Sequence, residues 1–288
     1  MAKMRRFAPL ASAVVLATAG CIGGFELRAF DELIVAGQDA MLRAKLERAG
    51  FLLWRPDVEG IQANFEVLHV PRTHEAKEAV YYAIGQAPTD RDGIAALKVR
   101  GFFQGRHIVR VNCPDAAHAA AYMRVFAVTP DIPILVCDID HTIADVGTVG
   151  FLTARPRSVP PVQGSAEALR ELSARFLVVY LTARDDSFRD ATLSWLQEKG
   201  FPEGPVFFSD LSKSVYLGSA RRFKTEQLAA WRAAGLNLQA GVGDRAEDAE
   251  SYLANGMKAF ILGSGRADLI PDAVRVGSWQ EITRHLSR

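Results

Sequence analysis

The chain has 288 residues, 49% of them hydrophobic, which is enough for two ordinary domains each with its own core. Its formal charge of +1 gives no electrostatic case for a nucleic-acid partner.

Lys3, Arg5 and Arg6 precede an uncharged run over residues 7–20, too short to span a bilayer as a stable helix but the right length for the core of a signal peptide. Export follows as an expectation. The stretch Leu16-Ala17-Thr18-Ala19-Gly20-Cys21 resembles a bacterial lipoprotein box, with Thr18 where an aliphatic residue is usual. Residues 1–21 are therefore read as a signal peptide with a lipobox, which implies a lipid anchor at Cys21 in the bacterial cell envelope. Cleavage near Ala19 and an uncleaved anchor are the alternatives. Beyond Cys21 there are only Cys113 and Cys137, and Cys137 lies in an apolar run, as a small core residue would.

Residues 25–128 carry the punctuation of an all-β unit. Ile61, Ala63, Phe65 and Val67 alternate with polar residues and predict a half-buried strand. The run Ala40-Met41-Leu42-Arg43-Ala44-Lys45-Leu46 combines helix-favouring residues with strand alternation, and is read as a strand. A turn at Thr89-Asp90-Arg91-Asp92-Gly93 leads into strands over residues 94–99 and 107–111. These patterns resemble an immunoglobulin-like β-sandwich, which implies an accessory, spacing or binding domain. His69, His74, His107 and His118 lack metal-ligand spacing. Two prolines in Thr129-Pro130-Asp131-Ile132-Pro133 mark a linker.

From residue 132 to 288 apolar strands alternate with amphipathic helices, the pattern of an α/β parallel sheet covered on both faces. Strands are expected over residues 134–139, 176–181, 204–208, 238–242 and 259–262, with helices over 165–174, 187–199 and 222–234. The first strand runs into Asp138 and Asp140, the second into Thr182 and the fourth into Asp244. Right-handed crossovers would bring these strand ends together along one sheet edge. Paired carboxylates at such an edge suit a nucleophile and a proton-transferring acid/base.

Four motifs in order, Asp138-Ile139-Asp140-His141-Thr142, Thr182, Lys224 and Gly243-Asp244-Arg245-Ala246-Glu247-Asp248, resemble those of the haloacid dehalogenase-like (HAD) phosphatases, whose Rossmannoid sheet the segment would share. His141 stands where many members carry glycine. The resemblance implies Asp138 as nucleophile forming an aspartyl-phosphate, Asp140 as acid and base, and Thr182 and Lys224 as phosphate ligands. It also implies a Mg²⁺ site made by the Asp138 carboxylate, the Asp140 carbonyl and Asp244, with Asp248 holding metal-bound water or orienting Lys224. All-oxygen ligands suit that ion.

Within the superfamily, Leu181-Thr182-Ala183-Arg184, Gly204-Pro205-Val206 with Ser209, and Tyr252 with Gly256 resemble lipin-type phosphatidate phosphatases and the related domain of some phosphatidylinositol transfer proteins. That narrows the expected phosphomonoester to a phospholipid. The segment between the first two motifs has room for a flap but not a cap domain, so the site is expected to be open. Arg184, Arg221 and Arg222 are candidate headgroup contacts, although arginines on helix starts and loops are more often surface charges, and Val215-Tyr216-Leu217 is a candidate membrane contact or a packed loop. A module that binds a phosphorylated headgroup without turnover, and a phosphatase of soluble sugar or nucleotide monoesters, remain the alternative functions.

Overall fold

The structure is a computed structural model that describes residues 24–50, 55–69, 80–116, 119–153, 158–209, 219–263 and 270–287. The leader, Cys21, His74, His118 and Val215-Tyr216-Leu217 lie outside these residues. The chain divides between Thr129 and Pro130 into two units.

The N-terminal unit is all-β. Strands β1 (Phe25–Ala29), β3 (Ala40–Arg48) and β6 (Ile94–Val99) form an antiparallel sheet in the order β1-β3-β6. A second sheet has the order β2-β8-β7-β4-β5, from β2 (Glu32–Val35), β8 (Ala119–Val128), β7 (Gly105–Cys113), β4 (Gln62–His69) and β5 (Val80–Pro88). Only the β2–β8 pair among these is parallel. The inward residues of both sheets make one core: Ala40, Leu42, Ala44 and Leu46 of β3 meet Ala63 and Phe65 of β4 and Val109 and Val111 of β7. Alternation therefore wins over helix propensity in β3, because a strand buries all four apolar residues on one face.

The opposite face of β3 is solvated at Arg43, as its alternation predicts, but not at Lys45 and Glu47. Lys45 and Glu47 are 1% and 2% exposed. Lys45 pairs with Glu47 at 2.8 Å and with Asp57 at 3.4 Å, and Arg28 of β1 also pairs with Glu47. Glu47 is the acid that Lys45 and Arg28 share, so removing it would take a counter-charge from two buried cations at once.

In the C-terminal unit six strands form a sheet in the order β11-β10-β9-β12-β13-β14, every neighbouring pair parallel. They are β9 (Pro133–Cys137), β10 (Leu177–Asp185), β11 (Val206–Ser209), β12 (Asn237–Gly243), β13 (Lys258–Leu262) and β14 (Val274–Val276). The sixth strand, β14, is not among the five expected. The second runs three residues past Thr182, which is therefore inside a strand.

Helices α2 (Ser165–Leu172), α3 (Arg189–Glu198) and α6 (Trp279–Leu286) cover one face with Leu169, Trp195, Trp279 and Ile282 against Leu135, Cys137, Val178, Tyr180 and Phe260. On the other face lie α4 (Ser219–Ala233) and α5 (Ala246–Ala254), the second of which lays Tyr252 over Gly241 so closely that a Cβ there would come within 2.4 Å of the ring. A short helix α1 (Thr148–Thr153) follows the first motif. No helix among the described residues is long and apolar enough to cross a membrane.

One half-buried acid yields a test of the N-terminal packing. Burial pushes the Glu32 carboxyl from 4.5 up to about 7, against the opposing pull of Arg43. A raised folded value means that the fold is favoured while the group is protonated, so this contribution is present below pH 4.5 and is lost as pH rises through about 7. Urea titrations from pH 4.5 to 8 should show wild type losing on the order of 2 kcal/mol relative to Glu32→Gln. Parallel pH profiles for the two proteins would contradict it.

Candidate active site

The chain runs from β9 outward to β10 and β11, then returns to the other side of β9 for β12, β13 and β14. This reversal opens a crevice beyond the carboxyl ends of β9 and its neighbours, where ligands bind in open α/β sheets. Cys137 is in register with Tyr180 of β10 and Val242 of β12. Asp138 thus follows β9 level with Gly243, the last residue of β12, while β10 runs on past it to Asp185, and the Asp138 backbone N–H donates to Val242 O at 2.9 Å.

The strand geometry ends at Cys137, earlier than the sequence predicts. The Ile139 carbonyl then accepts the N–H groups of Thr142, Ile143 and Ala144 at 2.9–3.3 Å, and His141 sits at φ 55°. A left-handed turn of this kind costs a non-glycine residue about 1–2 kcal/mol, which explains why glycine suits the position. His141 is accommodated because Gly147 lies beside it, where a Cβ would come within 2.9 Å of the imidazole Nε2. From the other side, Trp279 Nε1 donates to Thr142 O at 3.0 Å and fixes the turn to α6.

Asp138 is 5% exposed and is met by Lys224 of α4, whose Nζ donates to its Oδ1 at 2.6 Å and to Oδ1 of Asp248 at 2.6 Å. Asp248 also accepts the Arg245 N–H on Oδ2 at 3.2 Å, which caps α5. Its carboxylate therefore orients Lys224. Gly243 makes room for it, since a Cβ there would lie 2.4 Å from Asp248 Oδ2. The helices are tied together by Thr225 Oγ1 donating to Ser251 Oγ at 3.0 Å, and α5 to β12 by Tyr252 OH donating to Val242 O at 3.1 Å.

One carboxylate oxygen each from Asp138, Asp244 and Asp248 lie within 4.8 Å of one another, the one such acidic group among the described residues. Among the described residues, Lys224 hydrogen-bonds Asp138 and Asp248, and the exposed Arg245 pairs with Asp244 at 4.0 Å, so two cations face three carboxylates. Burial, with Asp248 adding to it and Lys224 opposing, pushes Asp138 up to about 7, and burial and then Asp248 raise Asp244. Lys224 moves the other way from a buried lysine: burial disfavours its charge, but Asp138 and Asp248 outweigh that and raise it. The pocket is short of positive charge, and its donors are hard oxygens. A divalent cation fits both features.

The two motif-one aspartates are held by different groups. Asp140 accepts Arg184 Nε and Nη2 on Oδ1 at 2.9 and 2.6 Å, and the Thr148 hydroxyl on Oδ2 at 2.5 Å. Thr182 is fully buried in β10, and its Oγ1 accepts the Arg184 N–H at 3.3 Å. Arg184, read from sequence as a headgroup contact or a surface charge, is neither: it is fully buried against Asp140. Arg221 and Arg222 are on the surface of α4, paired with Glu250 and Glu226. Thr148 carried no sequence signal, since it lies outside the motifs.

Residues 135–263 match the family described as PITM 1-3, LNS2 domain. The parallel strand order with helices on both faces makes this unit an α/β Rossmannoid sheet. Among solved structures, the chain is similar to a D,D-heptose 1,7-bisphosphate phosphatase from B. bronchiseptica complexed with magnesium and phosphate, at 15% identity and TM-score 0.44 over 54% of this chain and 98% of that one. It is also similar to a phosphoserine phosphatase as a phospho-aspartyl intermediate analogue, at 14% identity and TM-score 0.40 over 54% and 98%. A cobalt-bound deoxy-D-mannose-octulosonate 8-phosphate phosphatase from Haemophilus influenzae is similar at 15% identity and TM-score 0.39 over 55% and 88%. A search of curated proteins finds no match.

If the carboxylate cluster holds a cation, adding Mg²⁺ should raise the melting temperature of wild type by several degrees. Asp244→Asn should abolish that response, yet melt no lower than wild type without metal, because it removes a charge from an anionic pocket. A variant that keeps the full Mg²⁺ response would contradict the assignment.

Proposed function

We propose that the chain is a Mg²⁺-dependent phosphomonoester hydrolase that works through an aspartyl-phosphate on Asp138. The observation that carries this reading is the Asp138 carboxylate, buried at the switch point of a parallel sheet and hydrogen-bonded to Lys224 at 2.6 Å. A binding module gains nothing from a buried nucleophile with a second aspartate two residues on. Unaided, phosphate monoesters are among the slowest biological bonds to break, and their transfer asks mainly for positioning and charge neutralisation.

Asp138 attacks phosphorus as the bond to the leaving oxygen breaks and Asp140 protonates that oxygen. Asp140 then takes a proton from the water that displaces Asp138 from phosphorus. Lys224, aligned by Asp248, holds Asp138 in place and offers charge to the phosphoryl oxygens, with the Thr182 hydroxyl as a second donor. Asp138, Asp244 and the Asp140 carbonyl would hold Mg²⁺, which supplies charge neutralisation for the approaching phosphate.

The match over residues 135–263 and the lipin-type motifs favour a phospholipid monoester over a soluble one. The lipobox at Cys21 supports export and a membrane anchor beside such a substrate. Further, the order β1-β3-β6 against β2-β8-β7-β4-β5, with β2 parallel to β8, favours an immunoglobulin-like reading of the N-terminal sandwich.

Phosphate release by the purified mature protein, with Mg²⁺ and with chelator, should be measured on phosphatidate in mixed micelles and on soluble monoesters. The expected result is metal-dependent release, fastest from phosphatidate, that Asp138→Asn lowers by at least about 10³-fold. Headgroup binding without release from any monoester would replace the enzyme with a binding module.

A further inference from the structure

Arg184 is fully buried and its guanidinium is held on three sides. Nε and Nη2 converge on Asp140 Oδ1 at 2.9 and 2.6 Å, Nη1 donates to Thr192 Oγ1 of α3 at 3.1 Å, and Cζ lies 3.9 Å from the ring centroid of Phe151 in α1. A guanidinium has no acceptor, so it can only donate to Oδ1. A proton on that oxygen would face two N–H groups. Oδ2 differs, because its partner is the Thr148 hydroxyl, which donates to a carboxylate or accepts from a protonated acid. Only Oδ2 can therefore exchange a proton without breaking its hydrogen bond.

We propose that Arg184 is the positioning residue for Asp140: it stops the carboxyl group from rotating and reserves Oδ2 for proton transfer. The proposal rests on the phosphatase reading above and deepens it. In the first half-reaction the bond from phosphorus to the leaving oxygen breaks, the bond to Asp138 forms, and the Oδ2 proton passes to the leaving oxygen. In the second, water bonds to phosphorus, the Asp138 bond breaks, and a water proton returns to Oδ2. Thr148 and Phe151 both belong to α1, so the short helix in the expected flap builds part of this support.

A positioning role predicts losses that depend on the leaving group, which a purely structural arginine would not produce. kcat/KM should be measured for wild type, Arg184→Gln, Arg184→Lys, Asp140→Asn and the Arg184→Gln/Asp140→Asn double variant on alkyl phosphates and on aryl phosphates of acidic phenols. Arg184→Gln should lower alkyl turnover by roughly 10²-fold, the scale of general acid catalysis. Acidic phenols leave without a proton, so aryl turnover should fall much less. Arg184→Lys, which keeps charge without the planar fork, should recover part of the alkyl rate.

In the Asp140→Asn background the Arg184→Gln change should cost no more than about twofold on either class, as expected when one residue acts through the other. That background also avoids leaving a buried carboxylate unpaired, so the comparison survives if Arg184→Gln alone folds poorly. Equal losses on both ester classes, or an Arg184→Gln cost undiminished by Asp140→Asn, would overturn the positioning role. Absence of wild-type turnover on every ester, or turnover that survives Asp138→Asn, would instead sink the phosphatase reading and this proposal with it.

Discussion

A carboxylate taken out of water needs a partner, and Asp138 has Lys224 at 2.6 Å. Most of the C-terminal unit can be understood as the means of keeping that lysine there. Lys224 rides on α4, α4 is tied to α5 through Thr225 and Ser251, and α5 is tied to β12 through Tyr252. Asp248 holds the ammonium from the far side while capping α5 with its other oxygen. Gly241 and Gly243 permit the close approach, since side chains at either position would strike Tyr252 or Asp248. Packing, capping and charge thus converge on one oxygen of one aspartate.

The two aspartates of the first motif are separated by a single residue yet live in different electrostatic surroundings. Asp138 faces the ammonium point charge of Lys224 and two further carboxylates, whereas Asp140 faces a planar guanidinium held by Thr192 and Phe151. The turn that begins at Asp138 is responsible. An extended chain would present both carboxylates to the same neighbours, but the convergence of three N–H groups on the Ile139 carbonyl and the left-handed His141 divide them between α4 and β10.

Much of the architecture was legible from periodicity. The alternation of Ala40, Leu42, Ala44 and Leu46 identified β3, and the apolar run into Asp138 identified the central strand β9. What periodicity could not convey was the fate of charges. Lys45 and Glu47 occupy outward positions of β3 that look solvated, but partners distant in sequence, Arg28 and Asp57, bury them. Arg184 follows a strand and a threonine, which reads as a surface turn. Its burial depends on Asp140, 44 residues earlier. Strand β14 is three residues long, too short for any pattern, and exists because β13 offers it a paired edge.

The central claim is chemical: phosphate passes through a covalent bond to Asp138. The most direct test is to mix the protein with Mg²⁺ and a phosphomonoester, quench in acid during turnover, and map the phosphorylated peptide by mass spectrometry. The account predicts an acid-stable, base-labile phosphate on Asp138, absent from Asp138→Asn. Turnover with no covalent phosphate at that residue, or with phosphate on another side chain, would contradict it.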